Sequence, residues 1–158
     1  MAFTYSGVVL FVADIKRATV FYQDSLGQEI LFDHGPCVAF KSGFSLWERD
    51  RAAEVALPEG SDTAVLEGHG FELYFEHESI ETAEAAVREW GLPFVHPMIE
   101  QPWHQRCFRF RDPDGHLIEV AEPMPVVLRR YLDKGLSPEE VASETSMPLE
   151  VVQAIAGT

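Results

Sequence analysis

The chain has 158 residues, a formal net charge of -14 and 46% hydrophobic residues, which fits one compact domain or two small subdomains with a real core. A surface this acidic repels nucleic acid and anionic membranes, and no apolar run reaches the ~20 residues a membrane span needs. The start lacks the basic-then-apolar pattern of a signal peptide, and two cysteines, Cys37 and Cys107, imply no disulfide framework, so a cytoplasmic protein is expected.

From the N-terminus, residues 8–12 read as an apolar strand. Asp14 offers a helix N-cap, and Ile15, Ala18, Phe21, Tyr22 and Leu26 recur at helical spacing. Gly27 supplies the usual C-terminal stop. Strands are expected at 29–33, 37–41 and 44–49, with a turn at Ser42-Gly43. Residues 50–70, rich in Glu, Gly, Asp and Pro, read as a mobile linker with a short strand near 63–66.

The pattern then starts again. Residues 72–76 read as a strand. Ser79 is a cap, Glu81 and Glu84 suit the positive helix start, and Ile80, Ala83, Val87 and Trp90 form the apolar stripe before Gly91. Strands follow at 93–97, 105–111 and 116–121. Ile15 matches Ile80, Ala18 matches Ala83, and the Gly43 turn matches the Gly115 turn. Each half is therefore β-α-β-β-β. Three closely spaced strands after each helix argue against a parallel α/β sheet.

The stretch Asp112-Pro113-Asp114-Gly115-His116-Leu117-Ile118-Glu119-Val120 is a tight turn feeding a strand. Pro113 presets the turn, and Gly115 takes the left-handed position that closes it. Leu117, Glu119 and Ala121 share one face and His116, Ile118 and Val120 the other. A carboxylate among apolar neighbours is costly if buried without a partner. A solvated hairpin carboxylate is the ordinary expectation for Glu119; a polar cleft is the functional one.

The duplicated unit, the Val12-Ala13-Asp14-Ile15 opening followed by Phe21-Tyr22 and Leu26-Gly27, and the Asp112–Val120 motif together resemble the vicinal oxygen chelate superfamily over roughly residues 5–123. That superfamily includes glyoxalase I, bleomycin-resistance proteins and extradiol dioxygenases. The resemblance implies an α+β fold of two βαβββ units, 5–49 and 71–123, forming an open, cleft-bearing sheet in a domain of residues 1–123. It also implies a homodimer and a small-molecule substrate or ligand. Each unit of the family gives two ligands to a divalent metal, one on its first strand and one on its last, and the metal acts as a Lewis acid on vicinal oxygens. Carried over by position, the second unit supplies Glu72 and Glu119, as metal ligands and catalytic carboxylates. The first unit supplies Gly7, which has no side chain, and Trp47, aligned on the glycine turns. Glu48 serves only if the register slips by one. His69 and His104 are the histidines nearest to completing a site. With two of four positions lost, weak or absent transition-metal binding is expected.

The alternative is a metal-free pocket. Trp47, Trp103 and His104 then clamp a flat ligand, a pair of nearby carboxylates raises one pKa and provides a general base, and Arg106 or Arg109 pairs with those carboxylates. Arg109 shares a strand face with Gln105, Cys107 and Arg111. Two function classes follow. One is an enzyme of the glyoxalase or dioxygenase type, with lyase or isomerase chemistry first. The other is a metal-free binding or sequestering protein of the bleomycin-resistance type.

Residues 124–158 read as a separate helical tail. Helices are expected at 126–133, after a capping box at Ser137-Pro138-Glu139-Glu140, and from Pro148. The last two look like a helix-turn-helix, but residues 149–156 carry no basic side chain, as a DNA reader needs. A packing or dimer-contact element is expected, with a regulatory role the weaker alternative.

Overall fold

A computed structural model describes residues 6–56 and 72–157. The chain divides into two compact units, Met1–Gly70 and Phe71–Thr158.

In the first unit, β1 (Val8–Val12) leads into α1 (Ile15–Val20), capped by the Asp14 carboxylate, which accepts from the Arg17 amide at 3.0 Å. A π-helical turn, Phe21–Ser25, continues α1. This wider turn buries two adjacent rings: Phe21 is 7% and Tyr22 0% exposed, packed edge to face at 5.2 Å. Strands β2 (Ile30–Asp33), β3 (Cys37–Phe40) and β4 (Phe44–Glu48) meander back until β4 lies beside β1. The order is β1-β4-β3-β2, with β1 and β4 parallel and the other pairs antiparallel. Leu10, Val38 and Leu46 fill the helix-covered face, and each such side chain contributes about 1.5–3 kcal/mol by leaving water.

The second unit repeats this order with β5 (Glu72–Glu76), α3 (Ile80–Glu89), β6 (Phe94–Glu100), β7 (Arg106–Arg111) and β8 (Leu117–Ala121), paired β5-β8-β7-β6. Again only the first and last strands, β5 and β8, run parallel. Ile80 and Val87 of α3 face Phe108, Phe110, Ile118 and Val120 of the sheet, all buried. The α+β architecture of two βαβββ units, each with its own four-stranded mixed sheet, is as the repeat predicted.

Two expectations are corrected. The fourth strand stops at Glu48 rather than at 49, and the first residues assigned to the linker form a helix, α2 (Arg49–Ala56). The helix buries Ala52 fully and pairs Arg51 with Glu54 one turn on at 2.9 Å. The rest of the segment, including the strand expected near 63–66 and His69, lies outside the described residues. Nor is Glu119 a solvated hairpin carboxylate. It is 5% exposed, because β8 is an inner strand flanked by β5 and β7.

The tail belongs to the second unit. Helices α4 (Met124–Asp133), α5 (Pro138–Thr145) and α6 (Leu149–Ala156) bury Leu128, Val141 and Val152 among themselves. The Ser137–Glu140 capping box forms as read. The tail is fastened to the sheet by Glu122, 0% exposed, whose carboxylate takes Arg106 from β7 at 2.5 Å and Arg130 from α4 at 3.1 Å. A buried carboxylate with two cations and a backbone donor, the Arg106 amide at 3.1 Å, meets the requirement that buried charge be paired and hydrogen-bonded. Among the described residues no helix is long and apolar enough to cross a membrane.

Candidate functional site

Alternation along the second sheet gives it two unlike faces. Leu73, Phe75, Phe108, Phe110, Ile118 and Val120 point to α3. The other face presents Glu72, Tyr74 and Glu76 from β5, Glu119 from β8, and Cys107, Arg109 and Arg111 from β7. The strand register lines up one row across this face. Tyr74 is opposite Glu119, Glu119 opposite Arg109, and Arg109 opposite His96 of β6.

Arg109 is the centre of that row. Its Nε donates to Glu72 at 2.9 Å, one terminal nitrogen donates to Glu119, and the other donates to His96 Nε2 at 3.2 Å. The His96 Nδ1–H is directed to the Pro97 carbonyl at 2.8 Å, which leaves Nε2 free to accept from the guanidinium. Glu72 and Glu119, expected to converge from their equivalent positions in the repeat, do so, and they converge on a cation from the same chain. Burial pushes the Glu119 carboxyl above the ordinary carboxylate range. Arg109 opposes this, while the nearby Glu72 adds to it. The hydrogen bond that Arg109 donates to Glu72 holds the guanidinium charged.

The turn that feeds β8 explains its own sequence. The Asp112 carboxylate accepts from the amides of Asp114 and His116 at 2.9 and 2.7 Å and from the His116 ring at 2.9 Å. Asp112 is 3% and His116 7% exposed. The Asp112 carboxylate thus ties the turn to His116 and fixes where Glu119 enters the sheet.

The turn between β6 and β7 carries the aromatic candidate. Pro102 and Trp103 sit inside a turn closed by the His104 amide on the Gln101 carbonyl at 2.8 Å, and His104 follows with φ of 66°. Trp103 is 41% exposed, with its indole N–H bound to Gln105 Oε1 at 3.0 Å. The Gln105 amide nitrogen donates to the Tyr74 hydroxyl at 2.9 Å. His104 turns instead to the tail. Its ring nitrogens meet Glu100 at 2.9 Å and Glu144 of α5 at 3.1 Å, and its ring packs against Tyr131 with centroids 4.7 Å apart and planes tilted by 37°. Those two carboxylates raise its pKa. Arg106 is likewise committed to the tail anchor. Tyr74, Gln105 and His96 were not singled out from the sequence. Counting by twos along the strand from Glu72 finds Tyr74, and counting back from Arg109 finds Gln105; His96 follows only from the pairing of β6 with β7.

The first sheet holds the remaining candidates. At Gly7 a Cβ would lie 2.7 Å from the Gly43 carbonyl oxygen, so the close approach of backbones excludes any side chain. Strand pairing also moves the counterpart of Glu119. Val9 is opposite Ser45, as Tyr74 is opposite Glu119, so the first unit offers Ser45 at that position and Trp47 two residues further along the same face. Trp47 pairs with Cys37. A shallow cavity of about 360 Å³ on this sheet includes Gly7, Val9, Leu31, Phe32, Ala39 and Ser45. Glu48 lines a separate groove beside α1 with Lys16 and Arg51.

A family divalent metal is tested by this donor set, and the residues present do not fit it. The two carboxylates are bridged by a guanidinium, and a dication about 4 Å from that cation would be repelled by roughly 8 kcal/mol at an effective dielectric of 20. Among the described residues no three His, Cys, Asp or Glu side chains group to hold an ion.

Comparisons with known proteins agree with the architecture. A family model described as a glyoxalase-like domain matches residues 5–125. YraH of Bacillus subtilis is 32% identical over 125 residues, which cover 70% of this chain and 91% of that protein. The phenazine antibiotic resistance protein EhpR of Enterobacter agglomerans is 25% identical, covering 72% of this chain and 87% of its own. A crystal structure of an Agrobacterium tumefaciens protein of unknown function is 35% identical with a TM-score of 0.66, covering 78% of this chain and 96% of that one. The family match ends at residue 125, so most of α4 and all of α5 and α6 lie beyond it. Members of the superfamily bind small molecules, often with a divalent metal and often as dimers. With its repeated βαβββ units and matched motif strand, this chain belongs to the glyoxalase-like family of the vicinal oxygen chelate superfamily.

Proposed function

We propose that this protein binds a small, flat organic molecule without a metal, as a binding or sequestering protein of the bleomycin-resistance type. The observation that carries this reading is the Glu72–Arg109–Glu119 cluster: a guanidinium holds the carboxylates that would otherwise serve as metal ligands. Glu119, with both burial and Arg109 acting on it, serves as a fixed countercharge rather than a free base. Glu72, 36% exposed on an edge strand, is the carboxylate within reach of a ligand. Arg109 and His96 offer N–H and ring edges beside it, and Trp103 offers an exposed aromatic surface. The similarity to a phenazine resistance protein supports an aromatic ligand. The same reading takes the working form to be a cytoplasmic homodimer, which light scattering at micromolar concentration checks; a monomer there removes the dimer.

Isothermal titration with phenazine, in the presence and absence of chelator, is the test. Micromolar binding that is indifferent to chelator is expected. Sub-micromolar binding of Zn²⁺, Ni²⁺ or Mn²⁺ that Glu72→Ala abolishes would overturn the metal-free reading and restore the lyase, isomerase or dioxygenase alternative.

A further inference from the structure

We propose that Gln105 is the positioning residue of a two-ring aromatic seat formed by Trp103 and Tyr74, and that the ligand is a planar aromatic which stacks there. The proposal rests on the flat-ligand reading above and names the residue that sets the rings which receive it. Trp103 and Tyr74 are large, exposed rings, 41% and 48%. Neither is free to wander. Gln105 is 6% exposed and uses both ends of its amide: Oε1 accepts the Trp103 indole N–H at 3.0 Å, while Nε2 donates to the Tyr74 hydroxyl at 2.9 Å and to the Glu122 carbonyl at 2.7 Å.

The third bond gives the arrangement its direction. Glu122 is fully buried and held by Arg106 and Arg130, so its carbonyl is a fixed point of the tail anchor. That carbonyl accepts only, which orients the amide with its nitrogen toward Glu122 and Tyr74 and its oxygen toward Trp103. The rings are therefore set by the core through Gln105.

The polar edges of both rings are spent in this chain. Tyr74 accepts from Gln105 and donates to Glu76 at 3.0 Å. Desolvation, then its carboxylate neighbour, pushes the phenol up to about 12, so it remains a neutral donor to Glu76. What is left for a ligand is two π-faces, with the polar row of Glu119, Arg109 and His96 running across the sheet from Tyr74. Stacking on rings whose rotamers are already fixed avoids the ordering cost that binding otherwise carries.

The test compares wild type with Gln105→Met, which keeps length and removes all three bonds, and with Tyr74→Phe, which keeps the ring and removes its tie. Tyr74 is half-exposed, so the second variant preserves folding if the first does not. Time-resolved anisotropy is read from Trp103 in a background with Trp47→Phe and Trp90→Phe. Faster, wider ring motion is expected in Gln105→Met, with phenazine affinity down about tenfold and, in Tyr74→Phe, down about threefold, from the ordering cost of one or two side chains. Unchanged Trp103 motion in Gln105→Met, or unchanged motion and affinity in Tyr74→Phe, overturns the positioning role. Failure of wild type to bind phenazine or any other planar aromatic overturns the ligand reading instead, while the anisotropy comparison still decides on Gln105.

Discussion

Replacing Arg109 with Met tests the electrostatic core of the site. The substitution keeps most of the aliphatic stem and removes the guanidinium that bridges Glu72 and Glu119. Breaking a fully buried ion pair by deleting one partner costs about 3–5 kcal/mol. Arg109 is a quarter exposed and Glu72 reaches water, while Glu119 is 7% exposed, so a loss of about 2–3 kcal/mol is expected at neutral pH. The pH dependence has a definite sign. Glu119 already sits above its ordinary value because of burial, and loss of the cation raises it further. A carboxyl whose folded pKa exceeds its unfolded one stabilises the fold below the unfolded value and loses that contribution as pH climbs through the folded value. The deficit of Arg109→Met relative to wild type should therefore be small near pH 4.5 and grow toward pH 8. Urea unfolding across that range measures it. The double variant Arg109→Met with Glu119→Leu removes the orphaned charge and should recover most of the loss. A deficit that does not change with pH, or a double variant no better than the single, would refute the pairing.

Two further outcomes follow from the geometry. His104 has a folded pKa raised by Glu100 and Glu144, with the Tyr131 ring packed against it and Arg130 bound to its carbonyl at 2.6 Å. Its hold on α5 should be complete below about pH 6.5 and fade as pH rises through the raised value, so hydrogen exchange in α5 should differ between wild type and His104→Gln at pH 5.5 and converge near pH 9. Gly7→Ala should destabilise the first unit by about 1–3 kcal/mol, since its Cβ would meet the Gly43 carbonyl oxygen at 2.7 Å; unchanged urea unfolding would mean that the two backbones separate freely.

Periodicity and punctuation made most of the architecture legible. Asp14 and Gly27, Ser79 and Gly91, and the turns at Gly43 and Gly115 mark local events whose physics is contained in a few neighbouring residues, and the elements they bound fall within about a residue of expectation, except β6, expected at 93–97, which runs on to Glu100 in its pairing with β7. The two carboxylates were legible as well, because a repeat carries position across halves: Glu72 and Glu119 share a face as their equivalent places require. What the sequence left open was partnership. Gln105, Cys107, Arg109 and Arg111 were known to share a face, but only the pairing of β7 with β8 and β6 decides that Arg109, and not Arg106, reaches the carboxylates. Arg106 points to the opposite side and is taken by Glu122 and the tail. The tail in turn claims His104, a residue 40 positions from Glu144 in the chain. Ser45 displaced Trp47 as the counterpart of Glu119 because parallel register between β1 and β4 is set by backbone hydrogen bonds, whereas alignment on turn glycines is blind to where pairing begins: Ser45 lies two residues after Gly43, Glu119 four after Gly115. Local conformation was written in the spacing of residues; which charge meets which was decided by strands and helices distant in sequence, because Coulomb energy depends on separation in space and on the local dielectric, not on separation along the chain.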